Sequence, residues 1–262
     1  DLASLKTRAV KDGDVYKVTG NKTWITHAAR THVMTLLART DPETSDYKGL
    51  SMFLAEKTPG DEADPFPTEG MTGGEIEVLG YRGMKEYELG FDGFHVKGEN
   101  LLGGEEGKGF RYILDGLNAE RALIAAECVG DGYWFVEKAA EYGSERIVFD
   151  RPIAQNQGVQ FPIAQAYTEV RAADLMRYEA CRLFDEGQPC GAEANMAKHL
   201  AAESSWKAAN ACMQTFGGFG FAAEYDVERK FRETRLYQVA PISSNLILSY
   251  VGEHVLGMPR SF

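Results

Sequence analysis

The stretch LLGGEEGKGF, residues 101–110, marks the point at which the character of the chain changes. Before it, apolar and polar residues alternate in short runs, which is typical of β-strands. After it, apolar residues recur every three or four positions, which predicts long helices. Its glycines suit a joint, because glycine adopts backbone conformations that other residues avoid. We therefore predict a β domain over residues 1–104 and a helical domain over residues 105–262.

Short strands separated by turn signals predict a compact antiparallel β-barrel or sandwich in the first domain. The predicted strands are LKTRAV (5–10), VYKVTG (15–20), KTWIT (22–26), VMTLLAR (33–39), LSMFLAEK (50–57), EIEVLG (75–80) and FHVKG (94–98). The segment 58–74 is acidic and rich in Pro and Gly. It predicts an exposed loop, with disorder as the alternative.

The second domain is predicted to contain four long helices joined by brief connections. Their approximate bounds are 109–142, 153–186, 191–215 and 239–256, with a shorter helix near 224–234. This arrangement is typical of an up-and-down four-helix bundle. The fold class is therefore a multidomain α+β protein.

Composition and charge exclude several kinds of protein. The chain is 44% hydrophobic and 26% charged, which is typical of a folded globular protein. Its net charge of -11 argues against nucleic acid as the main partner. No apolar run approaches the length of a membrane span. The four cysteines and five histidines lack metal-type spacing, so we expect reduced thiols and no metal site.

A carboxylate interrupts an apolar helix face in GLNAERALIAAE, residues 116–127. Ile113, Leu117, Glu120 and Ile124 fall on one side of a helix. Such a glutamate either performs chemistry or has a structural role, in which it pairs with an arginine or reaches solvent.

A glycine-rich turn lies within QTFGGFGFAAEYDVERKFRE, residues 214–233. The turn ends a helix, or it lets the backbone approach a phosphate closely. The whole stretch resembles the second signature of the acyl-CoA dehydrogenase family. The matching residues are Gln214, Gly217, Gly218, Gly220, Phe221, Glu224, Arg229 and Glu233. GNKTWIT (20–26) and ERIVFDRPIAQNQ (145–157) also resemble segments of this family.

The resemblance implies FAD as cofactor. Trp24 would lie against the flavin, while the backbone of Ile25 and the hydroxyl of Thr26 would bond the ring near N5. Further contacts to the diphosphate and adenine parts are implied for Arg146, Phe149, Gln157, Gln214, Gly217, Gly218, Ser243 and Asn245. Of these, Gln214, Gly217 and Gly218 would reach the cofactor of a neighbouring subunit, and Ser243 and Asn245 could instead lie in a solvated loop.

The catalytic base is expected at Glu120. Many family members carry their base in a segment that aligns with LYQVAPISSN (236–245), where this chain has Pro241. A branch of the family places the base on the first long helix, before an arginine, and Glu120 precedes Arg121. A catalytic Glu120 should face a cavity closed to water, where burial raises its pKa. Arg121 and Asn118 are predicted to contact substrate.

The implied reaction is α,β-dehydrogenation of an acyl-CoA thioester to a trans-2-enoyl-CoA. Residues 73–89 resemble methylsuccinyl-CoA dehydrogenases, whereas the helical half resembles other short- or branched-chain members. Arg82 or Lys85 could hold a distal carboxylate, or they are exposed cations on a turn. Within the same fold, an acyl-CoA oxidase or a flavin monooxygenase is an alternative. A non-catalytic helical bundle that binds a partner is another.

The resemblance also implies partners and a location. Electron-transfer flavoprotein is the expected electron acceptor, and a homotetramer is the expected assembly. The expected location is the cytoplasm in a bacterium, or the mitochondrial matrix in a eukaryote. The chain begins at Asp1, and the helical domain that precedes the β domain in the family is absent from it. It is therefore expected to be a fragment of a longer protein.

Overall fold

A computed structural model describes residues 1–261 of the chain. The chain divides into two compact units, Asp1–Asp115 and Gly116–Phe262. The division falls within the first long helix, shortly after the glycine-rich joint. Each unit has its own secondary structure, and the predicted α+β class is confirmed.

The first unit is built on a six-stranded sheet with strand order β4-β3-β1-β2-β6-β5. The strands are β1 (Arg8–Asp12), β2 (Val15–Thr26), β3 (Val33–Arg39), β4 (Leu50–Glu56), β5 (Met71–Ile76) and β6 (Glu86–Lys97). Neighbouring strands are antiparallel except for β1 and β3, which meet in parallel where Arg8 pairs with Arg39. The expected antiparallel sheet therefore contains one parallel contact. Its core is formed by alternate residues such as Val18, Phe53 and Phe94, each almost fully buried.

Strand β2 joins two segments that the sequence predicted as separate strands. Both pair with the long strand β6, and the register shifts once after Val18 and again between Lys22 and Ile25. Such irregularities absorb an extra residue and turn a side chain away from its regular position. The predicted strand 75–80 was wrong in its bounds, because β5 runs from Met71 to Ile76.

The segment before β5 is irregular but partly buried. Phe66 is 9% exposed and its ring lies edge-on to Tyr87, with 5.4 Å between the ring centroids. The prediction of an exposed loop was therefore wrong at this residue. An aromatic side chain that reaches the core anchors a loop that composition alone marks as solvated.

The second unit contains five α-helices. They are α1 (Gly109–Glu145), which begins in the first unit, α2 (Gln157–Asp185), α3 (Gly191–Phe216), α4 (Val227–Thr234) and α5 (Ser244–Tyr250). A short hairpin of β7 (Ile147–Val148) and β8 (Arg151–Pro152) joins α1 to α2. None of the helices in the described part of the chain is long and apolar enough to cross a membrane.

The last predicted helix, 239–256, was too long at its start. Residues Arg235–Gln238 form a 3₁₀ turn, and the helix begins only at Ser244, followed by a π-helical turn at Val251–Val255. Pro241 explains the difference, because proline lacks an N–H and disfavours helix in the residue before it. Ser243 then caps α5 by accepting a hydrogen bond from the amide of Leu246.

Close approaches hold α1 against the other helices of its unit. A Cβ atom on Gly132 would lie 2.6 Å from a methyl group of Val170 on α2, so only glycine fits there. Further along, Tyr142 stacks on Phe216 at the end of α3, with 4.0 Å between ring centroids. The end of α1 is therefore fixed next to the glycine-rich turn that follows α3.

Candidate functional site

Trp24, Ile25 and Thr26 lie at the end of β2, in the first unit. Trp24 has φ of +59°, a left-handed conformation that is rare for a bulky residue, and its side chain is 62% exposed. Ile25 packs partly against the core. The irregularity after Lys22 thus turns the indole outward while its neighbour stays anchored. A large aromatic side chain held at the surface by a strained backbone is typical of a binding site.

Thr26 is directly opposite Glu86 on β6, and its hydroxyl donates a hydrogen bond of 2.8 Å to Glu86 Oε1. The sequence did not single out Glu86. The two residues are 60 positions apart, and only the register between β2 and β6 brings them together. No local pattern could have revealed this contact.

The loop after Thr26 is held by Lys57. Its ammonium is buried and donates to three backbone carbonyl oxygens, those of Ala29 (3.2 Å), Thr31 (2.9 Å) and Thr58 (3.0 Å). Burial lowers the pKa of Lys57 below its usual value. The hydrogen bonds fix this loop, and with it the end of β2, to the residue that follows β4.

Glu120 lies on α1 and is exposed to solvent. The expectation that it is shielded from water was therefore wrong for this chain by itself. Ile113, Leu117 and Ile124, on the same helix face, are half-buried. The carboxylate is thus the solvent-exposed member of a helix face that is otherwise apolar.

Arg121 differs from its neighbour because its side chain is partly buried. Its Nε atom is buried and makes no hydrogen bond among the described residues. Burial lowers the pKa of Arg121, while attraction to Tyr250 and Glu120 opposes this effect. Asn118 lies on the same side of α1, since a Cβ atom on Gly191 would meet both Tyr250 (2.8 Å) and Asn118 (3.9 Å). The starts of α1 and α3 and the end of α5 therefore converge around these polar groups.

Three of the residues that the resemblance pointed to lie in or beside the hairpin after α1: Phe149 in its turn, Arg146 just before it and Gln157 at the start of α2. Phe149 and Asp150 form its turn with φ of +51° and +60°, and the Phe149 ring is 94% exposed. The guanidinium of Arg146 lies 5.7 Å from the ring centroid of Phe219. Gln157 is the exposed first residue of α2. The short segment 146–149 therefore carries both a cation, Arg146, and an exposed aromatic ring, Phe149.

The glycine-rich turn follows α3 and is close to Arg146 through Phe219. Gly217 has φ of +59° and ψ of -130°, a conformation that essentially only glycine adopts. A Cβ atom on Gly217 or Gly218 would meet nothing within 4 Å, so their backbone is open to a ligand. Gly220 serves packing instead, because its Cβ would lie 2.6 Å from Met213 Sδ. Gln214 is exposed one turn before the glycines.

Ser243 is the N-cap residue just before α5, and Asn245 is the second residue of that helix, so Asn245 does not lie in a solvated loop. Ser243 caps this helix, whereas Asn245 is exposed on its first turn. The preceding segment is tied to α3 by Lys198, whose buried ammonium donates to the carbonyl oxygen of Ile242 at 2.8 Å. The position of Asn245 is therefore well defined.

Two cations that could have held a carboxylate of a substrate behave differently. Lys85 is paired with Glu75 at 2.7 Å and is therefore engaged within the protein. Arg82 is exposed on the turn before β6. Among residues 1–261, no three His, Cys, Asp or Glu side chains come close enough together to hold a metal ion.

A β unit followed by a helical unit that carries these residues is typical of one class of enzyme. The family model for the acyl-CoA dehydrogenase middle domain matches residues 1–94, and that for the C-terminal domain of the same enzymes matches residues 107–256. The chain therefore belongs to the acyl-CoA dehydrogenase family.

Among individual relatives, the chain is 54% identical to (2S)-methylsuccinyl-CoA dehydrogenase of Cereibacter sphaeroides, over 91% of this chain and 44% of that protein. It is 32% identical to the short/branched chain specific acyl-CoA dehydrogenase of Rattus norvegicus, over 97% of this chain and 57% of that one. A solved complex of glutaryl-CoA dehydrogenase with glutaryl-CoA matches with a TM-score of 0.92 and 33% identity, covering 100% of this chain and 64% of that chain.

These relatives are longer than the chain, which spans 44% of the methylsuccinyl-CoA dehydrogenase and 57% of the rat enzyme. The match to the methylsuccinyl-CoA dehydrogenase runs through both units, so the two halves of the chain resemble one and the same relative.

Proposed function

We propose that the chain is part of an FAD-dependent acyl-CoA dehydrogenase that removes hydrogen from the α and β carbons of an acyl-CoA thioester. The product is the trans-2-enoyl-CoA. The observation that carries this proposal is the placement of Glu120 on α1, next to the partly buried Arg121, in a chain whose residue 241 is proline. Glu120 is the carboxylate at the position where one branch of the family has its base.

The residues predicted for FAD have the chemistry that this cofactor requires. Trp24 offers an exposed aromatic face, and Arg146 offers a cation for the diphosphate. Gly217 and Gly218 leave backbone amides accessible, which suits a phosphate. When bound, FAD supplies the hydride acceptor for the β carbon. Phe149, Gln157, Gln214, Ser243 and Asn245 provide the remaining predicted contacts.

Glu120 acts as the general base that takes the α proton of the thioester. An exposed carboxylate is a weak base, and it becomes effective when bound cofactor and substrate exclude water from it. Arg121 orients Glu120 by electrostatic attraction; the charge of Glu120 also opposes the burial that lowers the pKa of Arg121. In this proposal, the side-chain amide of Asn118 hydrogen-bonds the amide-containing arm of CoA.

The proposed substrate is a short or branched acyl-CoA, with methylsuccinyl-CoA as the first choice. Support comes from the 54% identity to a methylsuccinyl-CoA dehydrogenase. Because Lys85 is paired with Glu75, Arg82 is the better candidate of the two for a distal carboxylate. Electron-transfer flavoprotein is the proposed acceptor, and a homotetramer the proposed assembly. We place the protein in the bacterial cytoplasm, or in the mitochondrial matrix of a eukaryote.

A second function is favoured by one observation, the exposure of Glu120. If the carboxylate stays in solvent when FAD is bound, the bundle is non-catalytic and serves to bind a partner. Pro241 is compatible with this alternative, since proline offers no base.

The test is an anaerobic flavin-bleaching assay on the protein expressed from its full-length gene. A panel of short and branched acyl-CoAs is compared with methylsuccinyl-CoA. We expect one thioester to bleach the flavin and Glu120→Gln to abolish the bleaching while FAD stays bound. Glu127→Gln, which changes another exposed carboxylate of α1, is the matched control and should bleach normally.

Bound yellow FAD that no thioester bleaches would overturn the proposed reaction and favour the non-catalytic bundle. Normal bleaching by Glu120→Gln would keep the reaction but remove Glu120 as its base.

A further inference from the structure

The hydrogen bond between Thr26 and Glu86 has a fixed direction. A carboxylate can only accept, so the hydroxyl must give its single proton to Glu86 Oε1, at 2.8 Å. A hydroxyl that has donated its proton still has lone pairs and can only accept from a further partner. Toward a ligand at the end of β2, Thr26 is therefore an acceptor and not a donor.

The surroundings of Glu86 keep this bond in place. The described residues include no ion pair to Glu86, and the neighbouring ammonium of Lys85 is engaged with Glu75 at 2.7 Å. The strands are also tied just beyond the pair, where the amide of His27 donates to the carbonyl oxygen of Lys85 at 2.9 Å. Among the described residues, no ion pair therefore draws the carboxylate away from Thr26.

We propose that Glu86 is a positioning residue that makes Thr26 a hydrogen-bond acceptor toward the flavin and so favours reduced over oxidised cofactor. This inference rests on the proposed function, in which Thr26 bonds the flavin near N5. In oxidised flavin N5 has a lone pair and only accepts, whereas in reduced flavin it carries a hydrogen and donates. An acceptor at this position therefore matches the reduced form.

The charge of Glu86 has the opposite effect, because a nearby negative charge disfavours the gain of electrons. Two substitutions separate the two effects. Glu86→Gln removes the charge and keeps an oxygen that can accept from Thr26, whereas Glu86→Leu removes both. The difference between the two variants therefore measures the acceptor role alone.

The experiment is the midpoint potential of bound FAD in the full-length protein, together with the dissociation constants of reduced and oxidised FAD. Compared with Glu86→Gln, we expect Glu86→Leu to weaken reduced FAD relative to oxidised FAD by about tenfold, the order of one hydrogen bond. For a two-electron couple this corresponds to a potential lower by about 30 mV. In a Thr26→Val background the difference between the two variants should vanish.

Equal potentials of Glu86→Gln and Glu86→Leu would overturn the inference, and so would a difference that persists in Thr26→Val, since Glu86 would then not act through Thr26. These outcomes differ from failure of the proposed function, in which the unsubstituted protein does not bind FAD. Circular dichroism and thermal unfolding of each variant exclude misfolding as the cause.

Discussion

Lys198 on α3 is hydrogen-bonded to the carbonyl oxygen of Tyr237 at 2.5 Å, although the two residues lie in different elements of the helical unit. The ammonium also reaches Ile242, so both ends of the segment around Pro241 are attached to one side chain. The lysine is fully buried, and burial lowers its pKa below the usual value. Among the described residues, the hydrogen-bond partners of this buried cation are these two carbonyl oxygens, and the bonds hold the backbone that leads into α5.

Substitution of this lysine should destabilise the helical unit. Lys198→Met removes the donor of two hydrogen bonds to carbonyl oxygens. Part of the lost stability is offset, because methionine does not carry the desolvation cost of a buried charge. We expect the free energy of unfolding to fall by about 2 kcal/mol in urea denaturation. Lys207→Met on the same helix removes an exposed pair with Glu169, and its effect should stay below about 1 kcal/mol. An unchanged stability of Lys198→Met would contradict this role.

Lys22 should make stability rise with pH. Burial lowers its pKa to about 8, from the 10.5 of a free lysine. Between these values the unfolded chain holds a proton that the folded chain has lost, so rising pH favours folding. We expect Lys22→Met to be more stable than the unsubstituted chain at pH 7 and to lose this advantage as the pH approaches 10.

Urea denaturation at several pH values measures this trend. Lys17→Met, which changes an exposed lysine of the same strand that is paired with Asp12, is the control. An advantage of Lys22→Met that does not change with pH would show that the lysine is not desolvated.

Tyr16 should have the opposite pH dependence. Its pKa is raised to about 12, first by burial and then by its hydrogen bond of 2.6 Å to Glu106. The unfolded tyrosine ionises near pH 10, so stability is complete below pH 10 and is lost as the pH rises toward 12.

Tyr16→Phe should therefore flatten the decline above pH 10 and cost about 2 kcal/mol at neutral pH, because a bond to a charged group is removed. The readout is the free energy of unfolding from denaturant titrations between pH 7 and 11. Tyr47→Phe, at an exposed site, should have little effect. A decline of the same slope in Tyr16→Phe would assign the loss to another group.

Gly217 should tolerate alanine poorly for a conformational reason. A side chain at φ of +59° and ψ of -130° strains the backbone, although space for it is open. We expect Gly217→Ala to lower the free energy of unfolding by about 1 to 3 kcal/mol. Gly218→Ala is the matched control, since a methyl group there also meets open space and its φ is not positive. Equal stabilities of the two variants would show that the conformation of Gly217 carries no cost.

Local patterns predicted the secondary structure well where it is regular and less well where it is interrupted. The three long helices α1 to α3 were predicted close to their observed bounds, because an apolar stripe repeats over many turns. The final helix was predicted to start too early, since a proline such as Pro241 disfavours helix in the residue before it. The strand after the acidic loop was misplaced because its glycines carry no alternating pattern.

The candidate site was predictable only in part. Trp24, Thr26 and Glu120 were found from short motifs, and the resemblance that the motifs support led to the family that the comparisons confirm. Neither the outward turn of Trp24 nor the exposure of Glu120 could be predicted, since both depend on register and packing. The roles of these residues stay predictions.

The amino-acid sequence by itself determined the order of the two domains, the family and the identity of the residues that could act. Periodicity and motifs are local properties, so they can be read from neighbouring positions. Only the tertiary structure decided that Glu86 bonds Thr26 and that Lys198 holds the segment around Pro241. These contacts join residues dozens of positions apart, and their geometry arises from strand register and helix packing, which no local pattern encodes.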